Sequence, residues 1–292
     1  MSPRQLIITH HAPDLDAVTA VWLLKRFDPQ NYADAQVAFV NPQEKISAPE
    51  AQEHGYDLHQ TTYVDTGWGE FDHHQPARAK NNQISATSLV YDYVCKQKPS
   101  LKDDQALKTI AEFATAVDHF QEVNWPKADS TRYVFMIHHL LRGHEFTDPH
   151  NDDSQLHFGL KTLDCAYAAL KQHHKAIEIL QKKGLEFQIK AGKCLGLATR
   201  NDDTLKLAQK QGYALVLRKD TDQGHIRIKA HPDSDLNLKK LYQAITKLDQ
   251  QGTWFYHGSG KMLLNGSSRH RDQQPSPLSL NTVINLIKEH YG

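Results

Sequence analysis

The stretch QLIITHHAPDLDAVTA, residues 5–20, decides the fold of the N-terminal half of this chain of 292 residues. Residues 5–9 have the apolar and β-branched composition of a short buried strand. From Ala17 to Leu24, apolar side chains recur at helical spacing. A polar loop, residues 10–16, separates the two patterns. The stretch therefore predicts a strand, a loop and a helix in succession.

Two more strands are predicted in this half. Residues 35–40 (AQVAFV) form one, and residues 61–64 form another that ends on Asp65. Short strands that alternate with helices are typical of an α/β fold with a parallel sheet. Open parallel sheets place their sites at the carboxyl ends of the strands, where both the first polar loop and Asp65 fall.

Helices are predicted at 86–97 and 103–117, and the second of them delivers Asp118 at its end. Gly, Pro, Asn and Asp accumulate over 144–154, after which a long helix is predicted that stops at Gly184. The pattern then restarts as a second α/β unit. Its predicted strands lie near 185–190, 194–199, 213–218 and 225–230, and its predicted helices near 203–211, 236–248 and 279–289.

Composition excludes several classes of protein. The 34 basic and 34 acidic residues cancel, so no global field would gather a polyanion or an anionic membrane. No apolar run approaches the roughly 20 residues that span a bilayer, and the N-terminus lacks a signal-peptide pattern, so we expect a cytoplasmic protein without a membrane partner. Cys95, Cys165 and Cys194 form no CxxC pair, which argues against disulfides and a thiolate zinc site.

The polar loop brings together His10, Asp14 and Asp16. Carboxylates this close repel one another unless a cation compensates them. Imidazole and carboxylate together suit manganese, magnesium, iron or zinc. The alternative is that the two aspartates only cap the following helix. Capping would explain one aspartate and no histidine.

Two further elements carry the same residue types. Asp65 stands in TYVDTG, where it could equally be a turn former. Asp72, His73 and His74 follow in EFDHHQ, and a histidine pair alone could be a solvated loop. His11 has no assigned role. The histidines of 138–157 lack tight ligand spacing, so we interpret them as solvated, with a second metal site as the alternative.

The ordered set HAPDLDA, Asp65, DHH and Asp118 resembles the four motifs of the DHH phosphoesterase superfamily. This superfamily includes RecJ-type exonucleases, oligoribonucleases, cyclic-dinucleotide phosphodiesterases and family II pyrophosphatases. DHHQ, followed by SATSLVY and AVDHF, is most similar to the RNA exonuclease branch, although HAPDLDA is closer to the wider superfamily.

The resemblance implies a pair of divalent metal ions, with manganese first and magnesium as the alternative. His10, Asp14 and Asp65 would hold one ion, and Asp65 would bridge to the other. The second ion would be held by Asp16, Asp65, His73 and Asp118. His74 would face the scissile phosphate, and Asp72 would orient the histidine pair.

The resemblance also implies a division of the chain. Residues 1–150 would be the DHH-type catalytic domain, 151–184 a linker helix, and 185–292 a smaller α/β domain that binds the rest of the substrate. In WFYHGSGKMLLNGSSRHR, glycines and cations suit a phosphate, with a basic-rimmed hairpin as the alternative. The candidate substrate-binding residues of this stretch are Gly258, Gly260, Lys261, Arg269 and Arg271.

Arg227 and Lys229 alternate along a predicted strand and are candidates for the charged floor of a cleft, or for the solvated face of an edge strand. Trp68 could stack on a base or simply pack, and the same holds for Trp254, Phe255 and Tyr256. No Walker A loop is present, because Met262 follows Gly260 and Lys261.

The sequence therefore predicts a metal-dependent phosphodiesterase that acts as an exonuclease on short oligoribonucleotides or related nucleotides, with a homodimer as a further expectation. Two alternatives stay open. One is a hydrolase of a small phosphate compound, pyrophosphate or a cyclic dinucleotide. The other is a module that senses a nucleotide without turning it over.

Overall fold

The computed structural model describes residues 5–182, 184–267 and 270–292. The fold is mixed α/β, as predicted, and the chain divides into two compact units, Met1–Leu170 and Lys171–Gly292. The described elements of the first unit are β1 Leu6–His10, α1 Leu15–Phe27, α2 Pro29–Tyr32, β2 Gln36–Val40, α3 Ala48–Glu53, β3 Thr61–Tyr63, α4 Ala86–Gln97, α5 Gln105–Asp118, α6 Ile137–Thr147 and the first part of α7, Asp152–Lys182.

The first unit is built on a parallel sheet with the strand order β2-β1-β3. The central strand β1 is buried, and Ile7 packs into the main core together with apolar residues of α1, α4 and α5. Because all three strands run the same way, their carboxyl ends lie at one edge. His10 ends β1 at that edge, and Asp65 follows β3 by two residues.

Local interactions fix the helix ends that face this edge. Asp14 caps α1, because its carboxylate accepts the backbone N–H groups of Asp16 and Ala17. Ser85 caps α4 in the same way by accepting the backbone N–H of Ser88. The capping interpretation of Asp14 is thus confirmed, and it does not exclude a second role for a carboxylate at the same edge.

The segment after β3 doubles back on itself. Val64 forms a parallel bridge with Phe71, and the Asp65 backbone N–H donates to the Phe71 carbonyl at 2.9 Å. Asp65 and Trp68 take left-handed backbone angles, with φ of 56° and 59°. This reversal places Asp65 beside the Asp72, His73 and His74 triplet.

The second unit contains a six-stranded sheet with the order β4-β5-β6-β7-β9-β8. Only β5 and β6 pair in parallel; the other neighbours are antiparallel. The described elements are β4 Leu185–Ile189, β5 Gly192–Ala198, α8 Asp203–Lys210, β6 Leu215–Lys219, β7 Ile226–Ala230, α9 Lys239–Leu248, β8 Trp254–Tyr256, β9 Met262–Asn265 and α10 Leu280–Tyr291, together with the end of α7.

Three features differ from the sequence prediction. Helices α2, α3 and α6 lie where no helix was predicted, and the glycine-rich stretch forms the hairpin β8-β9, which was the alternative interpretation. Strand β7 lies between β6 and β9, so Arg227 and Lys229 are not on an edge strand. The described helices include no stretch apolar and long enough to cross a bilayer.

Candidate metal centre

The structure brings the predicted ligands of the first unit together at the carboxyl edge of the parallel sheet. Asp65 lies at the middle and is only 4 % exposed. Its Oδ2 lies 3.3 Å from His10 Nε2, and its Oδ1 lies 3.3 Å from His73 Nε2. Among the residues that the structure describes, three groups of side chains could each hold a metal ion, and Asp65 belongs to two of them. The groups are His10, Asp14 and Asp65; Asp65, His73 and His74; and His73, Asp118 and His119.

The contacts of His10 indicate that a positive charge is needed between its ring and Asp65. Its Nδ1 lies 2.8 Å from the carbonyl oxygen of His11, which can only accept, so Nδ1 carries the proton. In the neutral ring, Nε2 is then an acceptor that faces the Asp65 carboxylate, another acceptor. Either a second proton or a cation must lie between them. A backbone carbonyl that fixes the tautomer in this way is a common support for a metal-ligating histidine.

The far side of the centre is formed by His73. Its Nε2 lies 3.6 Å from Asp118 Oδ2 and 3.9 Å from Asp16 Oδ2. Asp16 is held in place by the amino end of α4, because its two oxygens accept the backbone N–H groups of Ala86 at 2.7 Å and Thr87 at 2.9 Å. Asp16 thus lies beside the three groups without belonging to any of them.

Three inward-facing atoms make no hydrogen bond among the described residues, although each is buried. They are Asp65 Oδ1, His73 Nε2 and Asp118 Oδ2. Buried polar atoms without partners are costly, and the great majority in proteins are satisfied. Since all three converge on the same space, a cation bound there would satisfy them together.

The pKa values show the same imbalance of charge. Burial, together with the charges of Asp65 and Asp118, raises the pKa of Asp16 to about 8. Burial and neighbouring carboxylates raise the pKa of Asp118 to about 6, although His73 opposes the shift. Burial alone would lower the pKa of His10, but its hydrogen bond to Asp65 and the charge of Asp14 raise it to about 9. In the absence of a cation, protons take up the excess negative charge.

Asp65 differs from the other acids. Burial would raise its pKa, but the His10 and His73 rings, each 3.3 Å from one of its oxygens, lower it below the usual value. Its backbone is strained, since a left-handed φ is uncommon outside glycine, although Asp tolerates it better than most residues. Strained residues cluster at functional sites.

Asp72 and His74 form a separate pair at the rim. His74 Nδ1 donates to Asp72 Oδ1 at 2.9 Å, and the Trp68 backbone N–H donates to the other oxygen at 2.7 Å. Asp72 is fully buried, whereas the His74 side chain is 44 % exposed. The hydrogen bond to Asp72 raises the pKa of His74. This pairing fixes the tautomer of His74 and leaves its Nε2 for another partner.

A cavity of about 620 Å³ opens onto these side chains. One part of its wall is formed by Asp14, Asp16, His73, His74 and Asp118. The remainder comes chiefly from helix α6 and from the turn after α5.

Three residues near the centre were missed by the sequence analysis. His119 could share a metal with Asp118 and His73, and its adjacency to Asp118 in AVDHF was the available signal. Asp152 accepts a hydrogen bond from the Ala12 backbone N–H at 2.7 Å and lies 2.6 Å from His11 Nδ1. The buried Gln155 amide donates to the Pro13 carbonyl at 3.0 Å. The contacts of Asp152 and Gln155 join residues about 140 positions apart, so local sequence patterns do not indicate them.

The histidine-rich segment 138–157 contributes to none of the candidate metal groups found among the described residues. His138 packs against Phe113, Trp125 and His139. Burial and the neighbouring His139 lower the pKa of His138 to about 4, so its ring is neutral near pH 7.

The predicted substrate-binding residues of the second unit are not brought into one place. Arg227, paired with Asp202, and Arg271 line a cavity of about 490 Å³. Two arginines that the sequence analysis missed, Arg200 and Arg218, line the same cavity. Arg218 is nearly buried and pairs with Asp202 at 3.1 Å.

The other candidates lie elsewhere in this unit. The Lys261 ammonium donates to the carbonyls of Ser234 and Leu236, and the Gly260 carbonyl accepts the Leu238 backbone N–H at 2.8 Å. Burial lowers the pKa of Lys229 on β7. Gly258 lies in an open part of the turn, and Arg269 falls outside the residues that the structure describes.

No protein-family model and no curated protein matches this sequence. Among solved structures, RecJ from Thermus thermophilus in complex with Mg²⁺ matches with a TM-score of 0.35 and 11 % identity, over 98 % of this chain and 49 % of that chain. The chain thus spans about half the length of that protein. An exonuclease RecJ bound to manganese matches with a TM-score of 0.30 and 11 % identity, over 98 % of this chain and 90 % of that chain.

Proposed function

We propose that the chain is a DHH-type phosphoesterase that works with two divalent cations, manganese first and magnesium as the alternative. One observation carries the proposal. Three buried ligand atoms of Asp65, His73 and Asp118 converge without hydrogen-bond partners among the described residues, and Asp65 also belongs to a candidate metal group with His10 and Asp14. Mixed carboxylate and imidazole ligands suit these ions.

The chain's own residues have separate tasks in this proposal. Two bound cations would supply an activated water and neutralise the phosphoryl oxygens. Asp65 would be a ligand of both ions, because one of its oxygens faces His10 and the other faces His73. His74, oriented by Asp72, would face the leaving oxygen with Nε2 and donate a proton to it. No side-chain nucleophile is required.

We further propose short oligoribonucleotides as the substrate. The support is the similarity of DHHQ, SATSLVY and AVDHF to the RNA exonuclease branch, together with the cavity of the second unit, which is lined by four arginines and by Asp202 and Asp220. Arginine is well suited to bind phosphate oxygens in pairs. In this proposal residues 1–150 carry catalysis, 151–184 link, and 185–292 bind the rest of the substrate. A homodimer is part of the same proposal.

The test is to incubate the purified full chain with Mn²⁺ and, in parallel, with 5′-labelled short RNA, short DNA, a cyclic dinucleotide and pyrophosphate. We expect release of nucleotides from the short RNA. Chelation with EDTA should abolish turnover, and Mn²⁺ should restore it. Preferred cleavage of pyrophosphate or of the cyclic dinucleotide would replace the substrate while keeping the two-metal chemistry.

Two further outcomes contradict the proposal itself. Turnover that persists fully after chelation would exclude metal-dependent hydrolysis. Tight binding of a nucleotide with no turnover of any of the four substrates would favour a sensing module.

Size-exclusion chromatography with light scattering measures whether the chain is a dimer.

A further inference from the structure

Phe120 is an exposed aromatic residue on the wall of the cavity that opens onto the metal centre. Its side chain is 74 % exposed, although phenylalanine is among the residues most often buried. It makes no aromatic ring contact within the described part of the chain. Its ring therefore does little to hold the fold together.

The backbone at Phe120 is also unfavourable. Its φ of 54° lies in the left-handed region, which is a genuine outlier for a bulky residue. Such conformations cluster at active sites and ligand-binding sites. A residue that is both strained and exposed has no evident structural reason to be aromatic.

Phe120 lies close to the metal centre. Only His119 separates it from Asp118, the candidate ligand at the end of α5, so the two Cα atoms lie no more than about 7 Å apart. Both residues line the same cavity. A group bound at the centre can thus extend over the ring of Phe120.

The same wall offers one unused acceptor. Glu122 lines the cavity, and its Oε2 is buried without a hydrogen-bond partner among the described residues. A carboxylate oxygen can accept only from an N–H or O–H group. A flat apolar surface with one polar acceptor beside it is the usual composition of a site for a planar heterocycle.

We propose that Phe120 is a stacking platform for the nucleobase of a substrate whose phosphate lies at the metal centre, with Glu122 accepting a hydrogen bond from an amino group of that base. This inference rests on the proposed function. It makes Phe120 and Glu122 specificity-determining residues that favour a nucleotide over a phosphate compound without a base. Base stacking on aromatic side chains is tolerant of sequence, as an exonuclease requires.

The test compares the binding of two probes by isothermal titration calorimetry in the presence of Mn²⁺: 5′-AMP and ribose 5-phosphate, which lacks the base. We expect the full-length protein to bind 5′-AMP about tenfold more tightly, which corresponds to about 1.4 kcal/mol. Phe120→Ala should reduce the ratio to about one, whereas Phe120→Trp should keep it. Glu122→Gln should weaken 5′-AMP and leave ribose 5-phosphate unchanged.

Two controls separate stacking from a loss of folding. Phe135→Ala removes another aromatic side chain of this unit, 81 % exposed and away from the cavity wall, and should leave the ratio unchanged. Phe120→Asn places a residue that tolerates a left-handed backbone at the strained position, so its thermal midpoint should not fall while the ratio does.

The inference is overturned if the wild-type protein binds neither probe, if it does not distinguish them, or if Phe120→Ala retains the preference. Its failure differs from failure of the proposed function. A protein that prefers 5′-AMP through Phe120 yet hydrolyses none of the four substrates would keep the platform and lose the hydrolase. A protein that hydrolyses short RNA yet binds 5′-AMP and ribose 5-phosphate equally well would support the hydrolase and contradict the stacking platform.

Discussion

Asp65→Asn should disable the metal centre while leaving the local backbone intact. Asn tolerates the left-handed φ of 56° nearly as well as Asp, so the reversal of the chain at this position should persist. The carboxylate, however, offers one oxygen to the group of His10 and the other to that of His73, each at 3.3 Å. An amide is neutral and presents only one acceptor oxygen.

The magnitude follows from these two contacts. If each lost contact with a charged partner costs about 1.5–3 kcal/mol, the pair costs about 3–6 kcal/mol. Since about 1.4 kcal/mol corresponds to a factor of ten, affinity for Mn²⁺ or kcat/KM should fall by about 10²–10⁴.

Calorimetric titration with Mn²⁺ measures the loss of metal affinity without depending on turnover. Hydrolysis of short RNA at saturating Mn²⁺ measures the fall in kcat/KM. The matched control is Asp92→Asn, which neutralises an exposed aspartate on α4 and should change neither quantity. An Asp65→Asn protein that folds and binds Mn²⁺ within threefold of the wild type would refute the bridging role.

Three further predictions concern stability and pH. Gly67→Ala should lower the free energy of unfolding, measured by urea unfolding, by about 2 kcal/mol or more, because the backbone has a left-handed φ and the added Cβ would lie 2.4 Å from the Tyr63 ring. Gly55→Ala is the control: its φ is also left-handed but the space around it is open, so it should lower the free energy of unfolding by less. Asp72→Asn removes the negative charge beside His74 Nδ1 and so weakens the interaction that raises the pKa of His74. The alkaline limb of the kcat profile should move to lower pH, and an unmoved limb would contradict the assigned proton donor. The metal-free protein should lose stability as pH rises from about 5 to 9. The reason is that the raised pKa values of Asp16, Asp118, His10 and His73 make the folded state bind more protons than the unfolded chain. Saturating Mn²⁺ should make stability less dependent on pH, and thermal melts across this pH range test both expectations.

The alternation of short strands and helices in the sequence was enough to predict the α/β class and most element positions. The strand before His10, the helix after Asp16 and the helix that ends at Asp118 all lie where the apolar periodicity placed them. These elements depend on local residue spacing, which sequence carries directly. Helix α6 was not predicted, because its four apolar side chains stand among histidines and charged residues.

The candidate ligands were predictable as residue types, whereas their geometry depended on contacts distant in sequence. Strand order places His10 beside Asp65, 55 residues apart, and the amino end of α4 fixes Asp16 from 70 residues away. Asp152 braces the first loop across 140 residues. Such contacts are set by packing of whole elements, on which local patterns carry no information.

The sequence by itself determined the order of elements and the chemistry of the ligand set, because strand and helix periodicity and residue type are local properties. Only the tertiary structure decided which buried ligand atoms of the described residues lack hydrogen-bond partners, that β7 is internal rather than an edge, and that Phe120 and Glu122 share a cavity with Asp118. The reason is physical. Unsatisfied buried atoms and shared cavities arise only when segments far apart in the chain are packed against each other and water is excluded.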